Sequence, residues 1–203
     1  MVIGIIAILI GLLMPALQRA RVQARTVACM SNMRQVGQAM LMYANDNKGW
    51  LFPPDRGLDV AVSERWFLLV LKHTPPIDQT SLEPKDWTPP LMLCPADDPN
   101  PVNYHSYLVN GHMVEHKILY SSTKMPPGLD TTTVVVMGEK LTLGTNYYVE
   151  ILRGNTTYFE QVDEYRHGRS HGSNYLFLDL HVGPRARNLP VYGADPWDFP
   201  SEQ

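Results

Sequence analysis

Positions 2–17 read VIGIIAILIGLLMPAL, sixteen consecutive residues without a charged or strongly polar side chain, and Gln18 is the first interruption. As a helix this run spans roughly 24 Å, somewhat short of the ~30 Å hydrocarbon core of a bilayer. Beyond it the apolar positions take up a helical rhythm. Val22, Cys29, Met33, Val36, Met40 and Tyr43 recur at intervals of 7, 4, 3, 4 and 3, with Arg25, Asn32, Gln35, Gln38 and Asn45 largely off that stripe. The two patterns join into one rod from about residue 3 to residue 44, on the order of 63 Å long. Pro15 is its one interior breaker and favours a kink there. NDNKG at 45–49 supplies the turn-forming residues that end it.

Further along, the period changes from helical to alternating. β-Branched and aromatic residues predict strands at 133–137, 147–152, 157–162 and 174–182, with glycine-containing turns between them. The last, NYLFLDLHV, sets Leu176, Leu178, Leu180 and Val182 on one face and Tyr175, Phe177, Asp179 and His181 on the other. Its aliphatic face is expected to pack on the stripe of the rod. The segment 62–73, VSERWFLLVLKH, reads as a helix, and 73–101, with eight prolines, reads as a long irregular loop that needs tethering. The fold class that follows is α+β, a long N-terminal helix (1–45) packed on a small antiparallel sheet within a head (46–203).

Composition and charge sharpen this division. The first 45 residues carry Arg19, Arg21, Arg25 and Arg34 and no acid, while the remaining 158 hold 13 basic and 20 acidic groups. An apolar, then basic, rod is therefore attached to an acidic body. A net charge of -3 and a pI near 6.1 predict no nucleic-acid partner. The apolar run admits three readings: a cleaved signal, a buried core helix, or a helix seated in a membrane or a multi-subunit core. A signal would carry its positive charge before the run, not after it. A core helix that is apolar on every side would need burial on every side. The third reading is the expectation.

At this point the residues carry a resemblance. The stretch from the apolar run through Pro15, the Ala/Arg-rich segment 20–25, Cys29, Asn32, Gln35, Gly37, Tyr43, Asp46 and Asn47 resembles type IV pilin-like proteins, in particular the pseudopilin-like subgroup with prepilin-type N-terminal cleavage and methylation. The match covers about a quarter of the chain. It implies a bacterial structural subunit, not an enzyme, of a type II secretion or type IV pilus-like filament. Its expected partners are other pilin-like subunits, the membrane and a prepilin peptidase. Its expected location is the inner membrane with an exported, periplasmic head, or a surface filament. Membrane contact and assembly would fall to Val2, Ile5, Ile6, Leu9, Leu12, Leu13 and Pro15. Aligning Pro15 on the family proline also implies a basic leader and about seven mature residues ahead of Val2, roughly 10 Å of helix that would complete a bilayer span. YRHGRSHGSNYLFLDLHV resembles the subgroup's C-terminal motif through His167, Gly168, Asp179 and His181, with Leu180 standing where glycine is usual.

Candidate chemistry is sparse. The resemblance places Cys94, in LMLCPADD, in a Cys-Pro-x-Asp context, and a Cys29–Cys94 bridge would pin the proline-rich loop to the rod. Two buried, unbridged thiols are the alternative. Some pseudopilins order a comparable loop with calcium, for which Asp97, Asp98 and Asn100 supply hard oxygen donors, although an acidic, Asx-capped turn explains the same residues. No other cofactor is expected. His167, His171, Asp179 and His181 could together hold a divalent metal and support hydrolysis, but no HExxH and no separate base accompany them. Trp50, Trp66, Trp87 and Trp197 leave a second role open, a membrane-anchored exported protein that binds polysaccharide or another ligand.

Overall fold

In a computed structural model of the chain, the described residues are 2–49, 90–97, 105–110, 130–142, 148–149 and 161–185. The expected helix at 62–73, most of the proline-rich loop and most of the segment 157–162 lie outside them. One 45-residue helix, α1 (Val2–Asp46), runs through Pro15. It ends as NDNKG predicts: Asn47 N–H bonds back to Tyr43 O at 3.0 Å, Gly49 N–H to Ala44 O at 2.7 Å, and Lys48 and Gly49 take positive φ.

The head is built on a sheet of β1 (Tyr107–Asn110), β2 (Val135–Glu139), β3 (Tyr148–Val149), β4 (Ser173–Phe177) and β5 (Val182–Arg185), in the order β3-β1-β2-β4-β5. β1, β2, β4 and β5 pair antiparallel, and the two-residue β3 joins β1 in parallel. The arrangement is α+β, as the periodicities imply.

Two differences from the strand reading, at β1 and at 174–182, have physical causes. β1 escapes detection because YLVN is a short, fully buried strand with no alternation to reveal it. Of the segment 157–162, Gln161 and Val162 are described: Gln161 O accepts from Leu141 N–H at 2.8 Å and Val162 forms an isolated bridge to Lys140. The segment 174–182 is not one strand but the β4–β5 hairpin. Leu180 N–H bonds to Phe177 O at 2.9 Å and Phe177 N–H to His181 O at 3.0 Å, with Leu180 left-handed at φ 69°. This is a three-residue loop ending in a left-handed position, where the family motif has glycine. Of the predicted aliphatic face, Leu176, Leu178 and Val182 are in the core and Leu180 is half-buried, while Tyr175 and Phe177 of the other face are buried too; a chain reversal, not a continuous pleat, puts them there.

Helix and sheet meet over the second half of α1. Cys29, Met33, Val36, Met40 and Tyr43 of the predicted stripe pack in one cluster with Met92, Cys94, Tyr107, Val109, Met137, Leu176 and Leu178. Val22 is 51% exposed, because burial begins at Thr26. Gly37 marks the closest approach: a Cβ there would stand 3.0 Å from Leu176 Cδ1 and 3.5 Å from Leu180 Cδ2. Gly37→Val should therefore destabilise the head by about 2 kcal/mol through overpacking. Gly37→Ala should be nearly neutral, since about 1 kcal/mol of helix propensity offsets a smaller clash. Denaturant midpoints of the two variants check this, and equal losses would count against the packing account.

The first half of α1 behaves differently. Residues 2–25 are exposed throughout, including eleven large aliphatic side chains between Val2 and Leu17. The segment is long and apolar enough to cross a membrane by length and composition. At ~2 kcal/mol for each side chain taken fully out of water, this surface holds on the order of 20 kcal/mol of unrealised burial. An exposed apolar surface of that size marks a membrane or protein interaction site.

Candidate functional site

The polar interior of the head is organised around Glu139, the last residue of β2, which ends the apolar run 134–138 (VVVMG) and is fully buried. Its position follows from register, since it lies opposite Tyr107 on β1 and next to Gly138, the partner of Tyr175 on β4. The carboxylate is satisfied from two sides. His167 Nε2–H donates to Oε1 at 2.8 Å and Asn174 N–H donates to Oε2 at 2.9 Å, with Asn174 Nδ2 farther off at 3.5 Å. His171 Nε2 reaches Asn174 Oδ1 at 3.1 Å, and the two imidazoles meet edge to face at 5.7 Å.

His167 is delivered by a tight loop. Gly168 N–H bonds to Tyr165 O, Gly172 N–H to Gly168 O, and His167 N–H to Gly172 O at 3.1 Å. Gly168 has φ 93° with open space where a Cβ would go, so conformation and not crowding requires glycine there.

Next to this pair lies the Cys29–Cys94 disulfide, with Cα atoms 5.0 Å apart and both residues buried. Cys94 Sγ is 3.9 Å from His167 Nε2. The bridge tethers residues 90–97 to the rod, assisted by Asn32 Nδ2 to Leu93 O, while Ser106 N–H to Met92 O and Cys94 N–H to Ser106 Oγ hold the same segment to the start of β1. An open groove of about 410 Å³ remains between this segment and the helix, lined by Asn32, Gln35, Pro90, Leu91, Leu93 and Pro95.

A second buried cluster holds the same segment from the other side. The Arg166 guanidinium pairs with Asp97, donates to Lys140 O and stands 3.4 Å from Asp163 Oδ2; the Thr142 hydroxyl also donates to Asp97 Oδ1 at 2.7 Å. Asp97, a candidate calcium ligand, thus carries a buried cation and a hydroxyl on Oδ1; Asp98 and Asn100 lie outside the described residues.

Lys140 is 1% exposed and its Nζ has no hydrogen-bond partner among the described residues. Burial pushes its ammonium down from 10.5 to about 8, with Asp97 opposing the shift and Arg166 adding to it. The unfolded chain therefore holds a proton between pH 8 and 10.5 that the folded chain has lost, so this residue's contribution to stability rises with pH across that window. Tyr107 acts in the opposite sense above pH 10, because burial and then the charge of Glu139 raise its hydroxyl's pKa. Lys140→Met should remove the rise and increase stability at neutral pH. Denaturant midpoints measured from pH 7 to 10 check both; an unchanged pH slope in the variant would rule out this role for Lys140.

The four residues of the C-terminal motif do not converge. His167 and Gly168 lie at the Ser173 end of β4, whereas Asp179 and His181 sit on the exposed hairpin beyond its other end. There Asp179 Oδ1 accepts from His181 N and Nδ1, and the His181 ring stacks on Phe177 at 4.2 Å. Among the described residues, the metal-ligand types that do come together are Cys29, Cys94, Glu139 and His167, not His171, Asp179 and His181. Family models, characterised proteins and solved structures were compared with the chain. None matches it. Sequence reasoning missed Glu139, Lys140, Arg166 and Asn174 as a group. The available signal was Glu139–Lys140 itself, two charges ending a five-residue apolar run with no intervening turn residue.

Proposed function

We propose that the chain is a structural pilin-like (pseudopilin) subunit of a type II secretion or type IV pilus-like filament, held in the membrane by α1 before it assembles. One observation carries this reading. A single uninterrupted helix serves the head with its second half and leaves its first half exposed, with residues 2–17 apolar on all sides. A membrane anchor alone needs no rigid continuity with the head. A subunit that packs its rod among neighbouring rods does need it, because the helix then carries load between the filament core and the head.

The acidic body, with 20 acidic groups against 13 basic ones beyond residue 45, suits an outer surface that keeps neighbouring heads soluble and apart. The disulfide suits an oxidising compartment and thus an exported head.

The test is the mature N-terminus of the native protein, expressed from its own genomic region. An N-methylated phenylalanine a few residues ahead of Val2 is the expected result. Cleavage after the apolar run would overturn the filament reading and favour a secreted protein. Cysteine pairs introduced on the free half, such as Ile6→Cys with Leu13→Cys, should crosslink subunits in native membranes that contain the assembly machinery.

A further inference from the structure

We propose that the Cys29–Cys94 bridge occupies a latent metal centre: once reduced, its two thiolates join His167 and Glu139 in a closed tetrahedral site for a thiophilic divalent cation of the zinc class. The inference stands whether or not the chain assembles into a filament.

The donor atoms of all four residues lie within 4.8 Å of one another and all four residues are buried. A tetrahedral zinc site with metal–ligand bonds of about 2.0–2.3 Å places its donors roughly 3.3–3.8 Å apart. The Nε2 to Oε1 distance of 2.8 Å and the Nε2 to Cys94 Sγ distance of 3.9 Å bracket that range. The remaining adjustment is separation of the two sulfurs by side-chain rotation. Two thiolates, an imidazole and a carboxylate form a donor set that favours zinc over calcium or magnesium.

The surroundings are those of a supported site. Glu139 is already oriented through Oε2 by Asn174 N–H, which leaves Oε1 facing the centre, and His167 is fixed through its own backbone N–H. With Nε2 on the metal the ring proton sits on His167 Nδ1, which is buried without a partner among the described residues, a cost of about 1–3 kcal/mol that the metal–ligand bonds must exceed. Two thiolates and a carboxylate around a divalent ion leave one net negative charge. Arg166 is already paired with Asp97 and Asp163, which leaves the buried Lys140, next to Glu139 in sequence, as the available counter-charge. With all four positions filled by protein and sealed from solvent, the centre would be structural, with no site for substrate.

The chemistry balances with a trialkylphosphine as reductant. It attacks the disulfide, takes an oxygen from water as phosphine oxide, and leaves two thiols. The cation then displaces one proton from each thiol while the His167 proton moves from Nε2 to Nδ1. Oxidation by a disulfide of another molecule withdraws two electrons, re-forms the bridge and expels the cation. Metal and bridge are therefore mutually exclusive states of one site.

The full chain in detergent micelles, reduced with phosphine and desalted without oxygen, should be titrated with cobalt(II) while circular dichroism follows its helix. The expected result is one cobalt per chain with intense tetrahedral d–d bands and thiolate charge transfer, bleached by stoichiometric zinc and absent from the oxidised chain. His167→Ala and Glu139→Gln should each weaken binding at least about 10-fold and shift the bands. If reduction loosens the head, zinc should restore its thermal transition and a chelator should reverse this. A reduced chain that gives only weak octahedral spectra would overturn the proposal. So would cobalt binding unchanged by both substitutions, or a loosened head that zinc does not restore.

Discussion

Glu139→Ala should destabilise the head by about 2–6 kcal/mol, since it leaves two buried donors unpaired at about 1–3 kcal/mol each. The substitution leaves His167 Nε2–H and Asn174 N–H without the acceptors they now have at 2.8 and 2.9 Å, in an interior that water does not reach. Folded domains hold only about 5–15 kcal/mol in total, so the variant would lie near the limit of folding. Glu139→Gln is the informative companion. Its amide oxygen can still accept from His167, but its NH2 group then faces Asn174 N–H, and the loss should fall to about 1–3 kcal/mol. Urea unfolding in detergent, followed by a probe in the head, gives both values. A cost below about 1 kcal/mol for alanine would mean that water or a rearranged His167 replaces the carboxylate.

Removing the disulfide is the second large effect. Cys29 and Cys94 are 65 residues apart, and closing a loop of that length removes about 4 kcal/mol of chain entropy from the unfolded state. Native contacts at 90–97 persist without the bridge, since Leu93, Met92 and Cys94 keep backbone hydrogen bonds to Asn32 and Ser106. The expected loss for Cys29→Ala with Cys94→Ala is therefore about 2–4 kcal/mol. It should appear with a larger denaturant dependence, because the unfolded chain becomes more expanded. The measurement belongs in a chelator, and a stability loss with an unchanged denaturant dependence would place the effect in the folded state. With Cys94 Sγ only 3.9 Å from His167, the disulfide and Glu139 losses should not add.

The parts of the fold legible from the residues were those governed by local period and by composition. The rod, its end at NDNKG and its buried stripe from Cys29 to Tyr43 all follow from helical spacing and turn chemistry. So does the apolar run that leaves residues 2–17 exposed. The left-handed turn at Leu180 was locally concealed, because leucine gives no signal for positive φ and the alternation of NYLFLDLHV continues across the reversal. Lys140 reads as an ordinary surface lysine until β2 and the Arg166 loop close over it.

The resemblance drew attention to Cys29 in the N-terminal stretch, to Cys94 in its Cys-Pro-x-Asp context and to His167 in the C-terminal motif. It could not show that Glu139, 28 residues before His167, is its partner, nor that Asp179 and His181 stand apart from it. Sequence alone determined the long apolar-to-amphipathic helix, the α+β class and the core stripe from Cys29 to Tyr43, because each depends on the spacing of neighbouring side chains along one element. Tertiary structure alone decided the strand order, the β4–β5 hairpin and the convergence of Cys29, Cys94, Glu139 and His167. Those depend on which buried polar groups find acceptors across the sheet, and the cost of leaving one unpaired is set by three-dimensional packing, which no local pattern records.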